Sequence, residues 1–293
     1  MFKLRGSGWA RAAQSRWRQY LLLEFGQEDL GNFGKLYESA VLGVANAAEL
    51  QKLRRSRPRR ARPSIPGPRP PKSSLVEHHK ELGLWAIRLP SADAVVVRRT
   101  LAALAENPDG LPGVEESDDS MEKRKNYWAS VKPAHFGVKL GLKSLMGVFR
   151  AMVMGLSIGL FGIFSFGRSL LLKFPEFFSL GWFRKKGPTE EEVRSATFKM
   201  WFVGQGYSDA SNASDGRKPD TEIVTRVSGP EIGYLSTPII LVQCALVLLS
   251  QRKNLPRGGV FPPGIVFGPT DLQDRLQENG ISFEVVSKKT LLP

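Results

Sequence analysis

The stretch Ala151 to Gly167, AMVMGLSIGLFGIFSFG, is seventeen residues without a charge, bounded by Arg150 and Arg168. As a helix it would be about 25 Å long, just short of a bilayer hydrocarbon core of about 30 Å. Such a run must find an apolar environment, in protein or in lipid. Leu170 to Phe183, LLLKFPEFFSLGWF, follows at once and ends on Arg184, Lys185 and Lys186. Cationic ends keep headgroup contact, glycines permit close helix packing, and Phe and Trp suit the interface. A short run followed by a Pro-kinked aromatic stretch fits a monotopic hairpin or interfacial insertion better than a clean span. The other reading is a buried core helix of a soluble domain; lipid contact is favoured. The side chains expected to meet lipid are Met152, Met154, Leu156, Ile158, Leu160, Phe161, Ile163, Phe164, Phe166, Phe177, Phe178 and Trp182, within an apolar segment 145–183.

The charge distribution points to a phosphate-bearing surface. The formal net charge is +14, and the nine Lys or Arg residues between Gln51 and Val76 are accompanied by no acid. From Lys132 to Lys186 the only carboxylate is Glu176. Such fields attract the phosphates of nucleic acid or of lipid headgroups. The basic loop 51–76 is rich in proline, which forbids helix or inner strand, and no aromatic residue lies between Tyr37 and Trp85 for bases to stack on. Nucleic acid is therefore not the expected partner. The first twenty residues carry five basic groups and no acid, the composition of an organelle transit peptide or of an unrelated leader.

Local signals divide the rest. Gly43 to Arg55 reads as one helix with Asn46 as its cap, Leu84 to Leu89 as a strand, Ala94 to Ala105 as a strand turning into a helix, and Glu106 to Ser120 as an acidic loop. Thr189 and Glu192 have the spacing of a capping box, as do Thr270 and Gln273. Thr197 to Gly204 and Ile223 to Val227 read as partner strands joined through the polar loop Ser208 to Pro219. Thr237 to Leu249 is apolar all round and too short to span, so it reads as a buried core helix. Gly280 suits a helix C′ position, and Ile281 to Val286 a final strand.

Catalytic and metal signals are weak. The single cysteine, Cys244, excludes an intrachain disulfide and fits a reducing compartment. His78, His79 and His135 lack partners at useful spacing and read as structural or exposed. Asp93 reads as one half of an ion pair. Gly6-Ser7-Gly8 and Gly204-Gln205-Gly206 lack the third glycine and the following helix of a dinucleotide fingerprint, and both read as turns. No catalytic, cofactor-binding or metal-ligating residue is expected.

Several stretches together resemble the saccharopine dehydrogenase-like oxidoreductases, particularly their plant branch. They are Tyr37-Glu38-Ser39-Ala40, Asp93 to Thr100 (DAVVVRRT), Leu171 to Pro175 (LLKFP), Phe177 to Phe183 (FFSLGWF), Lys186 to Thr189, Gly204 to Ser208, Gly233-Tyr234 with Thr237-Pro238-Ile239, Val242-Gln243, and Gly258 to Phe261 with Pro263-Gly264. The likeness runs from Tyr37 to Ser287. It implies an α+β fold with a mostly antiparallel mixed sheet and packed helices, an apolar membrane-insertion helix, and no complete Rossmann domain. Residues 1–36 would be an atypical basic leader and 37–293 the family's second domain. The family's NAD(P) would be bound by a domain absent here, so this stretch is expected to be inactive alone. The resemblance further implies a membrane or lipid-droplet location, a mitochondrial membrane being the other candidate, and a link to glycolipid synthesis. Two alternatives stay open: part of an active enzyme, or a non-catalytic module whose Rossmann-facing surface seeks a protein partner.

Overall fold

The computed structural model describes residues 18–25, 34–57, 74–89, 91–107, 117–131, 134–208, 218–256 and 258–291. Seven strands form one sheet: β1 (Arg18–Phe25), β2 (Val76–His79), β3 (Leu84–Arg88), β4 (His135–Leu142), β5 (Thr197–Gly206), β6 (Thr221–Pro230) and β7 (Ser282–Thr290). Their order is β2-β3-β4-β1-β5-β6-β7, and every neighbouring pair is antiparallel except β1 with β4. The chain is thus α+β with a mostly antiparallel mixed sheet. The β1 strand, from the stretch expected as a leader, lies in the middle of it. Residues 1–17 and 58–73, the bulk of the basic leader and of the Pro-rich loop, lie outside the described residues, as does Gly6-Ser7-Gly8.

Eleven α-helices accompany the sheet among the described residues. They are α1 (Gly34–Ala45), α2 (Ala47–Ser56), α3 (Ala92–Glu106), α4 (Asp118–Ser130), α5 (Leu145–Phe161), α6 (Ser165–Lys173), α7 (Pro175–Phe178), α8 (Glu190–Ser195), α9 (Thr237–Ser250), α10 (Pro263–Val266) and α11 (Leu272–Glu278). The single helix expected from Gly43 to Arg55 is two, broken at Asn46, whose amide donates to the Leu42 carbonyl (3.0 Å) instead of capping the next helix. The strand expected at Ala94 is helical from Ala92. Ser91 accepts from the Asp93 backbone N–H (3.1 Å), and Ala94, Leu101 and Leu104 turn inward at helical spacing. Here the cap and the 3.6-residue period override the β-branched run of valines. In the span expected as an acidic loop, α3 runs to Glu106 and α4 begins at Asp118, while residues 108–116, like 209–217 of the loop expected after β5, lie outside the described residues. Thr189 and Glu192 do form their reciprocal box, whereas the one expected at Thr270 does not: Asp271 takes the N-cap position, and the Thr270 hydroxyl donates to the Phe267 carbonyl (2.7 Å).

One sheet face carries the helices. Residues directly opposed on neighbouring strands share a face, so Leu140, position 23, Met200, Val227 and Phe283 form one row across five strands. At its β4 end the row meets Val41, Val148, Ala151 and Leu171. Ala94 and Val97 of α3 cover its middle, and Leu276, Ile239 and Ile240 cover its β6–β7 end. The other face combines buried Leu84, Ala86, Val203 and Val224 with charged and aromatic side chains. Buried Lys139 pairs with Glu77, and Arg226 lies 5.3 Å over the Trp201 ring while bonding Glu284 at 2.5 Å.

Two predictions follow from this packing. Leu171 is fully enclosed, so Leu171→Ala should cost about 2–5 kcal/mol in denaturant unfolding. The Glu192 carboxyl is held down to about 2, first by the Arg184 guanidinium (2.5 Å) and then by the Thr189 backbone N–H. Its contribution to stability is therefore complete above the ordinary carboxylate value and is lost as pH falls towards 2. A carbon-detected NMR titration should find the low midpoint, and Arg184→Ala should raise it.

Candidate lipid-contacting surface

The α5 helix is apolar on two opposite sides, for two different reasons. Ser144 caps it, accepting from the Gly147 N–H at 3.1 Å. Gly147, Val148, Ala151 and Ile158 pack inward against α1 and the end of β4. Leu145, Phe149, Met152, Leu156 and Leu160, spaced by three or four residues, form an outward stripe that is exposed throughout. A helix with only the first set would be an ordinary core helix. The second set leaves a hydrocarbon surface in water.

The surface continues round the next turn. A Cβ on Gly167 would lie 2.2 Å from the Phe161 carbonyl oxygen, so only glycine lets α6 fold back this closely on α5. The Arg168 guanidinium donates to the carbonyls of Gly162 (3.3 Å) and Ile163 (2.9 Å), closing the C-terminal end of α5. This tight turn thrusts Ile163, Phe164 and Phe166 outward, Phe166 being 78% exposed. Beyond it Phe174 and Phe177 are also exposed, the latter 75%. The chain then turns at Leu180 (φ 51°) and Gly181 (φ 83°). Buried Ser179 accepts from the Phe183 N–H (2.9 Å), and the corner seats Trp182 and Phe183 in the core, where Phe183 stacks on Tyr37 with centroids 5.4 Å apart. Burial pushes the Tyr37 hydroxyl up to about 12.

Of the side chains expected at lipid, Met152, Leu156, Leu160, Phe161, Ile163, Phe164, Phe166 and Phe177 lie on this exposed surface, and Met154 is half-buried. Ile158, Phe178 and Trp182 are corrections: all three are buried in the protein's own cluster beside Val41 and Leu171. Leu145, Met146, Phe149, Phe174 and Leu180 are exposed and were not anticipated. Sequence periodicity cannot separate the two groups, because both sides of α5 are apolar.

A second correction concerns α9, expected as a buried core helix. Only Val247 is fully buried, and Leu241, Val242, Leu246, Leu248 and Leu249 are exposed. A π-turn, Ile232–Ser236, leads directly into it. Within the continuous helix Ile232–Ser250, Pro238 offers no N–H to the turn before it, and the wider π-turn gives its ring room. Buried Glu231 accepts from the backbone N–H groups of Gly233 (2.9 Å) and Tyr234. Together Ile232–Ser250 is nineteen residues, long and apolar enough by length and composition to cross a membrane.

The remaining chemistry-bearing side chains are structural in their surroundings. His78 stacks on Trp85 (4.3 Å), and His79 has its imidazole held below its ordinary value by burial and then by Lys139. With Leu82 and Glu222 they border a shallow recess of about 250 Å³. Burial raises the Cys244 thiol. Asp93 accepts from the Ser91 hydroxyl (2.5 Å) and makes no ion pair among the described residues. Gly204-Gln205-Gly206 are not a turn: all three sit in the β5 ladder, opposite Ile223, Glu222 and Thr221. No group of three His, Cys, Asp or Glu able to hold a metal occurs among the described residues.

Comparison with known proteins supplies the lineage. The chain is 64% identical over 270 residues to a probable mitochondrial saccharopine dehydrogenase-like oxidoreductase of Arabidopsis thaliana, covering 92% of this chain and 59% of that protein. It is 37% identical over 269 residues to the human saccharopine dehydrogenase-like oxidoreductase, covering 92% of this chain and 57% of that one. A Caenorhabditis elegans protein named lipid droplet localized protein is 29% identical over 186 residues, 60% of this chain and 43% of its own. No family model matches the chain, and no solved structure matches it. The chain therefore spans less than two thirds of the length of the curated relatives it resembles, and it belongs to the saccharopine dehydrogenase-like oxidoreductase family.

Proposed function

We propose that this stretch holds its protein at a lipid surface, that of a lipid droplet or a membrane, through the α5–α7 segment. The observation that carries the reading is the outward stripe of α5 continued by Ile163, Phe164, Phe166 and Phe177. Exposed apolar patches of this extent on soluble proteins mark interaction sites. Basic residues surround it: Arg150, Arg168 and Lys173 lie within the segment, and Lys185 and Lys186 follow, a pattern suited to anionic headgroups. The name of the nematode relative agrees with a lipid location, and that of the plant relative with a mitochondrial one. The family's oxidoreductase chemistry and its link to glycolipid synthesis belong, on this reading, to the complete protein. The residues described do not bind a nicotinamide dinucleotide by themselves, since their G-x-G lies within a ladder and not at a strand-to-helix turn.

Two measurements test this. The purified chain should float with triolein droplets or phospholipid vesicles. Replacing Ile163 and Phe166 together by Asp should return it to the soluble fraction without lowering its melting temperature, since both are exposed. A wild-type chain that stays soluble in the presence of either lipid sinks the proposal. Calorimetric titration with NADPH should give no saturable heat, and a submicromolar Kd would refute the assignment of the cofactor to other residues.

A further inference from the structure

We infer that α9 is a second lipid-contacting element, so that the domain meets a lipid surface through α5–α7 and α9 together. This rests on the lipid reading of α5–α7 and extends it to a helix that begins 59 residues after α7 ends.

The sheet fixes the relative orientation. Leu140 packs with the cluster beneath α5, and Val227 and Phe283 with the cluster beneath α9. Leu140 and Val227 belong to one row of opposed residues, through position 23 and Met200. Both helices therefore rest on the same face of the sheet. The buried side of each points at the strands, so the exposed side of each points away from that face of the sheet. Lipid lying against that side of the domain can meet both.

The side that α9 presents is made of Leu241, Val242, Leu246, Leu248 and Leu249, with Leu241 68% and Leu249 77% exposed. At the start of the π-turn segment Tyr234 is exposed as well, an aromatic with a polar tip at the end of an apolar helix. Charge selects lipid as the occupant. No Asp or Glu occurs from Ile232 to Thr270, and Arg252 and Lys253 follow α9 directly. Glu231, the acid immediately before, is buried and committed to backbone N–H groups. Basic groups at the C-terminal end also complement the helix dipole. The same acid-poor setting surrounds α5. An apolar helix with cationic ends and no acid suits hydrocarbon below and anionic headgroups around it.

Length alone would permit the continuous helix Ile232–Ser250 to span a bilayer, but its packing does not. Ile239 and Ile240 are held against Leu276, Ile281 and Phe198, and Val247 is enclosed. Spanning would strip this side from the core. The helix therefore lies in the plane of the interface, its outer side chains immersed by about 5–10 Å.

The experiment uses the full chain and vesicles of phosphatidylcholine with phosphatidylserine. Leu241 and Leu249 are replaced together by Asp, and separately Ile163 and Phe166 together by Asp. Each pair should weaken partitioning by about a hundredfold, and the four-site variant by more than either. In a Cys244→Ala background, a fluorophore on Leu249→Cys should shift to the blue on binding and be quenched by lipids bearing a nitroxide near the headgroup. Release by the Ile163/Phe166 pair with no effect of the Leu241/Leu249 pair and no quenching at position 249 overturns the inference for α9 and leaves the α5–α7 reading standing. No binding by the wild type removes both. A chain that self-associates through α9, losing its dimer on Leu241/Leu249 replacement while position 249 stays unquenched, overturns the inference in favour of a second copy. Circular dichroism of each variant confirms the fold, and because all four sites are exposed, Leu241→Gln with Leu249→Gln serves as a milder pair should Asp disturb α9.

Discussion

A sheet of seven strands that buries one face under helices imposes the constraint on which everything else depends. The row from Leu140 to Phe283 is apolar from one side of the sheet to the other, and each part of it is covered by a different helix group. Removing that face from water is the main stabilising term, at about 25 cal/mol per Å² of apolar area. The covering helices must therefore present apolar side chains inward. In α5 and α9 they present apolar side chains outward as well, and nothing in the described fold covers those.

That surplus sets α5 and α9 apart from the other helices of the domain. The other helices behave conventionally: α3 turns Ala94, Leu101 and Leu104 inward and leaves Arg98 and Arg99 on its remaining surface, and α8 is polar enough to have no buried residue. The exposed hydrocarbon is concentrated in α5–α7 and α9, with Leu42 on α1, Leu50 and Leu53 on α2 and Val95 and Val96 on α3 exposed besides. The α5–α7 segment contains the most constrained backbone, with Gly167 against the Phe161 carbonyl and Leu180 at positive φ. A non-glycine residue held there costs on the order of 1 kcal/mol or more. The cost is met by the burial of Trp182 and Phe183, so the corner that seats those rings also fixes how far Phe177 projects.

The other face of the sheet has a mixed character. Lys139 with Glu77, and Arg226 with Trp201 and Glu284, satisfy their charges within the sheet, and the two adjacent histidines are engaged by an aromatic ring and by burial. Charge compensation of this kind is structural chemistry. These pairs lie on the face of the sheet opposite α5 and α9.

The sequence alone determined the location of the apolar segment, the acid-free zones around it, the antiparallel pair β5–β6, the capping box at Thr189 and the family. Each of these is local: a count of charges, a period of two, a four-residue spacing, or a set of short motifs. It could not tell which side of α5 faces protein, so Ile158, Phe178 and Trp182 stood beside Ile163 and Phe166 as equals. Nor could it tell that α9 is exposed, since an all-round apolar helix reads identically whether protein or lipid surrounds it. The strand Arg18–Phe25 was hidden for the same reason, because its place at the centre of the sheet comes from pairing with strands more than a hundred residues away. Periodicity reports that a side chain is apolar. Only the tertiary structure, by choosing which apolar side chains meet one another, decided which were left for the outside.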